Sequence, residues 1–234
     1  MYKLNLDEID PSGAIAEHHA AVEGDTRMDF LKKAGLGGAA AVSGGAVLSG
    51  LTAGTASAQS STRPPSMFGK GDIGILNYAL TLEFLEAAFY NEATKNNVVA
   101  DGNSQLAIFL RTVTRDENRH VGFLRSGLGS KAVKRPKFNF GDTTKDPTMF
   151  ALTSEVLENT GVSAYLGQAK NIRSAKILGQ AGSILTVEAR HASVIGVLNK
   201  NSSDGIAPDG AFDRAKSARA ILAAVKKTGF IVDN

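Results

Sequence analysis

Two short motifs constrain this chain more than anything else in it. Glu117 and His120 stand three residues apart, and Glu188 and His191 repeat the spacing further along. Residues three apart share a face of an α-helix. Val113, Val121 and Leu124 lie on the face of the first pair, and Ile184, Leu185, Ala192 and Ile195 on that of the second, so both pairs point toward a core. After residue 58 the chain holds only two histidines and seven glutamates. Chance would put a glutamate three places before both histidines in roughly one such chain in six hundred. A carboxylate and an imidazole aimed inward from each of two helices make up much of a two-metal site.

Composition narrows the chemistry further. There are no cysteines, which excludes zinc fingers, iron-sulfur clusters, haem thiolates and disulfide scaffolds, so any metal must take oxygen and imidazole ligands. A length of 234 residues with 43% apolar content fits one domain plus an extension. The net charge is +3, and the basic surplus after residue 58 is scattered apart from Lys131, Lys134, Arg135 and Lys137. Four such residues read as a short solvated loop, and no nucleic-acid partner is expected. No nucleotide-binding motif or nucleophilic triad offers a competing active site.

Residues 1–58 read as an address rather than as fold. Arg27 to Lys33 precede a Gly/Ala/Val/Leu run from Ala34 to Ala56, closed by the small residues Ala56, Ser57 and Ala58. The segment resembles a twin-arginine export signal in which Met28 stands in place of the second arginine. Export to the periplasm or the outside is the expectation, with membrane anchoring if the segment stays uncleaved. Residues 1–26 form an unusually long leader before the charged region.

The stretch 59–71 is rich in Ser, Thr, Pro and Gly and reads as a linker, leaving 72–234 as the domain. The pattern predicts a first helix capped by Asp72 and running to about Asn96, apolar on nearly every side and therefore buried. A second helix is predicted from Ser104 to Leu128, stopped by Gly129. A polar crossover from Gly129 to Pro147 contains the alternating run Lys137, Phe138, Asn139, Phe140. Helices over Pro147–Ile172 and Ser174–Asn199 follow, then a shorter one over Phe212–Lys227. The fold class is all-α: two hairpins joined by one long crossover, the connectivity of ferritin-like four-helix bundles, with an additional C-terminal helix.

Such a site needs one further glutamate from each of the other two helices. The first helix offers Glu83 or Glu86, one turn apart, and the third offers Glu158 or Glu155. An ionised carboxylate buried without a partner is several kcal/mol unfavourable, by about that much per ion, so four of them call for cations.

At these residues the chain resembles the ferritin-like superfamily, over about Asp72 to Asn199. The run from Leu76 to Tyr90 and the run Leu157, Glu158, Asn159, Thr160, Gly161, Val162, Ser163, Ala164, Tyr165 are similar to those of the exported desiccation-related branch. Alignment of Leu76, Asn77 and Glu83 with the first helix of bacterioferritins implies Glu83 as a terminal ligand. It also implies Tyr90 as the tyrosine just outside the ligands, the residue given a catalytic role. The same resemblance favours Glu158 over Glu155, and implies that Asp116 orients a ligating histidine. Val187 occupies the matching place on the fourth helix, so the two metal positions are expected to differ. Glu86, Glu92 and Glu155 are expected to be solvated or to lie outside the ligand set, and Tyr165 to be a packing aromatic or a hydrogen-bond donor.

The implied ligand set is Glu83, Glu117, His120, Glu158, Glu188 and His191, with Glu117 and Glu188 bridging two ions, iron first and manganese second. The implied partners are oxygen or peroxide, with ferrous iron a further substrate, and the chemistry is ferroxidase, peroxidase or catalase-like. A second reading is a non-catalytic stress or desiccation protein with a structural or vestigial site. An iron-storing cage is disfavoured by the basic surplus.

Overall fold

The computed structural model describes residues 62–102, 104–199 and 205–232. The leader and export-like segment, and the start of the 59–71 stretch, lie outside the described residues. Among the described residues no helix is long and apolar enough to cross a membrane.

Four long helices form the body: α1 (Gly71–Lys95), α2 (Gln105–Leu128), α3 (Pro147–Ala169) and α4 (Ala175–Leu198). A shorter α5 (Ala218–Thr228) follows. α1 packs chiefly on α2 and α3 chiefly on α4, with α1–α3 and α2–α4 contacts closing the bundle. The ends obey local chemistry. Ser104, Asp146 and Ser174 accept hydrogen bonds from the backbone N–H groups of Ala107, Met149 and Ile177 at 3.2, 2.7 and 3.3 Å, capping α2, α3 and α4. Pro147 opens α3, where its missing N–H costs nothing. Gly129 ends α2 at φ 54°, a conformation that favours glycine.

The core explains why α1 is apolar on all sides. Phe89, at 0% exposure, stacks on Phe150 of α3 with ring centroids 5.5 Å apart, and meets Phe140 of the crossover edge-on at 5.4 Å. That contact pins the long connection to the bundle. Lys137–Phe138 (β1) pairs antiparallel with Ile231–Val232 (β2), so the crossover and the C-terminal end hold each other. Two-residue strands leave no period in a sequence, and the alternation at 137–140 gave no hint of its partner.

Three boundaries depart from expectation. Lys70, not Asp72, precedes α1. The Asp72 carboxylate instead accepts from the backbone N–H groups of Arg173 and Ser174, at 3.0 and 2.9 Å, and so braces the α3–α4 turn. α5 starts at Ala218 rather than Phe212, because Ser217 supplies its cap and the N–H of Lys216 is tied to the Ser163 carbonyl at 3.1 Å. The stretch read as a linker packs on the bundle from residue 62 on. Gln168 donates to the Thr62 carbonyl at 2.8 Å, Arg63 donates to that of Asn171 at 2.8 Å, and Phe68 is buried.

Candidate metal centre

All six expected ligands converge at mid-bundle. Each long helix turns carboxylates inward at a point where its neighbours leave no solvent, and Glu83, Glu117, Glu158 and Glu188 are each 0% exposed. They divide into two groups that could each hold a metal ion: Glu83, Glu117, His120 and Glu188, and Glu117, Glu158, Glu188 and His191. Within each group the ligand atoms lie within 4.8 Å of one another, and Glu117 and Glu188 belong to both.

The distances around each imidazole are those of groups facing a common centre. His120 Nδ1 lies 3.2 Å from Glu83 Oε2, 3.4 Å from Glu117 Oε2 and 3.1 Å from Glu188 Oε1. His191 Nδ1 lies 3.3 Å from Glu117 Oε1 and 3.2 Å from Glu158 Oε2. Ligands bound to one ion at about 2.0–2.2 Å sit roughly 3 Å apart, which is the spacing seen. Both oxygens of Glu117 and of Glu188, Oε2 of Glu83 and Nδ1 of His120 are buried without a hydrogen-bond partner. Buried polar atoms are ordinarily paired. Donors of this kind, oxygen and imidazole with no sulfur, fit divalent first-row cations, and four carboxylates offset the charge of two such ions.

The surrounding groups hold the ligands from behind. Tyr165 on α3 donates its hydroxyl to Glu83 Oε1 at 2.5 Å, and Tyr90 on α1 donates to Glu158 Oε1 in a short hydrogen bond. Each tyrosine thus crosses to the opposite hairpin, and Tyr165 is a donor, not merely packing. Asp116 faces the far nitrogen of His191, Nε2, at 3.6 Å, as its place before Glu117 implied, and is gripped by Arg115 at 2.8 and 3.0 Å.

Glu86 is not solvated: it is 3% exposed and faces the same cluster, but belongs to neither ligand group. Sequence had the signal, since α1 is apolar on every side and leaves a carboxylate no route to water. Glu155 and Glu92 do lie off the cluster. Glu155 accepts from Asn199 at 2.6 Å and Glu92 from Thr144 at 2.7 Å.

The profile described as a ferritin-like domain matches residues 71–201, more than half of the chain. The chain belongs to the ferritin-like domain family. None of the curated proteins compared with it matches. The bundle expected from helical spacing is therefore the family's own fold, and this ferritin-like domain keeps in its core a buried carboxylate and histidine cluster suited to metal ions.

Burial and mutual repulsion favour the protonated forms of the cluster's carboxyls. Burial, then the charge of Glu83, pushes the Glu117 carboxyl up to about 7. Burial, then Glu117 and Glu83, drives Glu188 well above the carboxylate range, and burial, then Glu188, does the same to Glu86. Burial alone would lower both imidazoles, but hydrogen bonding to Glu117 and Glu158 raises His191 to about 10, and Glu117, Glu188 and Glu83 raise His120 further. Burial, then the adjoining carboxylate, keeps Tyr90 and Tyr165 protonated far above the ordinary range.

Proposed function

We propose that this ferritin-like domain is a di-metal carboxylate protein that binds iron or manganese and acts as an oxidoreductase on oxygen or peroxide. One observation carries the reading: the two ligand groups overlap, sharing Glu117 and Glu188. Shared carboxylates hold two ions close together, and a close pair can serve one substrate. In this reading Glu117 and Glu188 would be shared by both ions, Glu83 and His120 would hold one, and Glu158 and His191 the other. Such a pair would supply two-electron redox chemistry toward oxygen or peroxide, with ferrous iron as the reductant in the ferroxidase case.

The protein's own residues do the rest. Tyr90 and Tyr165 fix Glu158 and Glu83 through their hydroxyls and keep those protons at the edge of the site. Tyr90 acts through Glu158, so its part is to position a ligand. Asp116 orients His191. The His120 side chain, 12% exposed against 6% for His191, is the wetter of the two imidazoles and marks the side from which a small oxidant would enter.

Complete burial of the four carboxylates favours a second reading, a stress-protective protein of the exported desiccation-related type whose ions only brace the bundle. Peroxide separates the two. Protein loaded with iron or manganese is expected to consume added hydrogen peroxide with a change in its optical spectrum, and the Glu117→Ala and His191→Ala variants are expected to do neither. Metal-loaded protein inert to both peroxide and oxygen would leave the structural reading standing.

A further inference from the structure

An unbalanced run of positive charge spans the end of α2 and the start of the crossover, and the fold gives it a shape. Between Glu117 and Asp142 the chain has six lysines and arginines, Arg119, Arg125, Lys131, Lys134, Arg135 and Lys137, and no aspartate or glutamate. Three of them converge. Arg125 from α2 and Lys134 and Arg135 from the crossover line one cleft of about 650 Å³, together with Phe84 of α1 and Gly122 of α2. Cations gathered in a concave site reinforce one another's field there.

The crossover is held in that place. The buried side chain of Asn77 on α1 donates to the Lys131 carbonyl at 2.9 Å and accepts from the Val133 N–H at 3.0 Å, which ties the chain to α1 just before the two cations. The Arg135 guanidinium lies over the Phe138 ring, 5.3 Å from its centroid, and Phe138 pairs with Ile231. Charges fixed in advance cost less to order when a ligand arrives. Nor are they neutralised. Arg125, Lys134 and Arg135 have no ion-pair partner among the described residues, whereas the nearest acids in sequence, Asp116 and Asp142, are taken by Arg115 and Lys145. The space beside Gly122 is open, since a Cβ there would meet nothing within 4 Å, so the mouth of the cleft stays clear.

We propose that this cleft binds a small multivalent oxyanion, bearing phosphate or carboxylate groups, between Arg125 on one side and Lys134 and Arg135 on the other. Arginine forks match the paired oxygens of either group, and Lys134 adds a point charge. Cations drawn from two elements into a concave site suit a compact ligand, whereas a membrane surface or a duplex calls for cations spread along an extended face. The site is separate from the metal centre, because none of the six candidate ligands lines it.

Calorimetric titration of the full chain with pyrophosphate and with citrate tests this. At least one of the two is expected to bind, one per chain, and more weakly as salt is raised. Arg125→Ala and Arg135→Ala are each expected to weaken binding about tenfold or more, and Lys95→Ala, at the far end of α1, to leave it unchanged. Gly122→Leu fills the mouth without removing a charge and is expected to weaken binding as well, which separates a shaped site from charge alone. All four positions are exposed, so the variants are expected to keep the fold. Binding of pyrophosphate alone would assign a phosphate ligand, and of citrate alone a carboxylate one. Binding of neither anion would overturn the proposal, even if the chain attached to phosphatidylglycerol vesicles or to duplex DNA. Binding that Lys95→Ala weakens as much as Arg125→Ala does would overturn it too.

Discussion

The two halves of the centre match in their ligands and differ in what stands beside them. Glu83 with Tyr165, and Glu158 with Tyr90, form two crossed pairs between α1 and α3. Glu117 with His120, and Glu188 with His191, repeat between α2 and α4. Beside them the symmetry breaks: Asp116 backs His191 where Val187 stands in the other half, and Glu86 faces Gly161. A repeated helical spacing therefore specifies two groups of candidate ligands, and single unmatched neighbours make them unequal.

Breaking the shared residues gives the largest effect. Glu117→Ala or Glu188→Ala is expected to lose both ions, whereas Glu83→Ala or Glu158→Ala loses or weakens chiefly one, as measured by elemental analysis of loaded protein.

Removing the ions altogether sharpens the comparison through pH. In the metal-free fold Glu117 is raised from 4.5 to about 7, so the fold keeps a proton that the unfolded chain releases, and stability falls as pH rises across that interval. His191 is raised from 6.5 to about 10, so its contribution is complete below 6.5 and is lost as pH rises to about 10. Both slopes have one sign. Denaturant unfolding of metal-free protein is expected to show stability falling between mildly acidic and alkaline pH by on the order of a few kcal/mol, and metal loading should abolish that fall.

Asp116→Ala attacks one half alone. It is expected to weaken the His191 ion by about 10–100-fold and to spare the His120 ion, read by calorimetry. Smallest of all, Tyr90→Phe and Tyr165→Phe each remove one hydroxyl from a buried carboxylate. Each is expected to shift stability by about 1–3 kcal/mol in thermal unfolding and to spare the ion count.

The buried cluster was legible because helical geometry alone brings Glu117 to His120 and Glu188 to His191, and because buried apolar faces make any carboxylate on them conspicuous. The spacing left Glu83 and Glu86 as alternatives, and the fold shows both buried, since residues 77–90 of α1 are enclosed on every side. What decides the surroundings of Glu86 is the absence of a side chain at Gly161, a residue distant in sequence that only the fold brings near. The same holds for Asp72, which braces the α3–α4 turn rather than its own helix, and for the pairing of 137–138 with 231–232. Local period specifies an element and its face, whereas these contacts depend on which elements meet.

The most direct test of the account is anomalous X-ray scattering from crystals grown with manganese. Two peaks are expected, roughly 3.5–4 Å apart, lying between Glu117 and Glu188, one beside His120 and the other beside His191. A single peak, or none between those carboxylates, would contradict it.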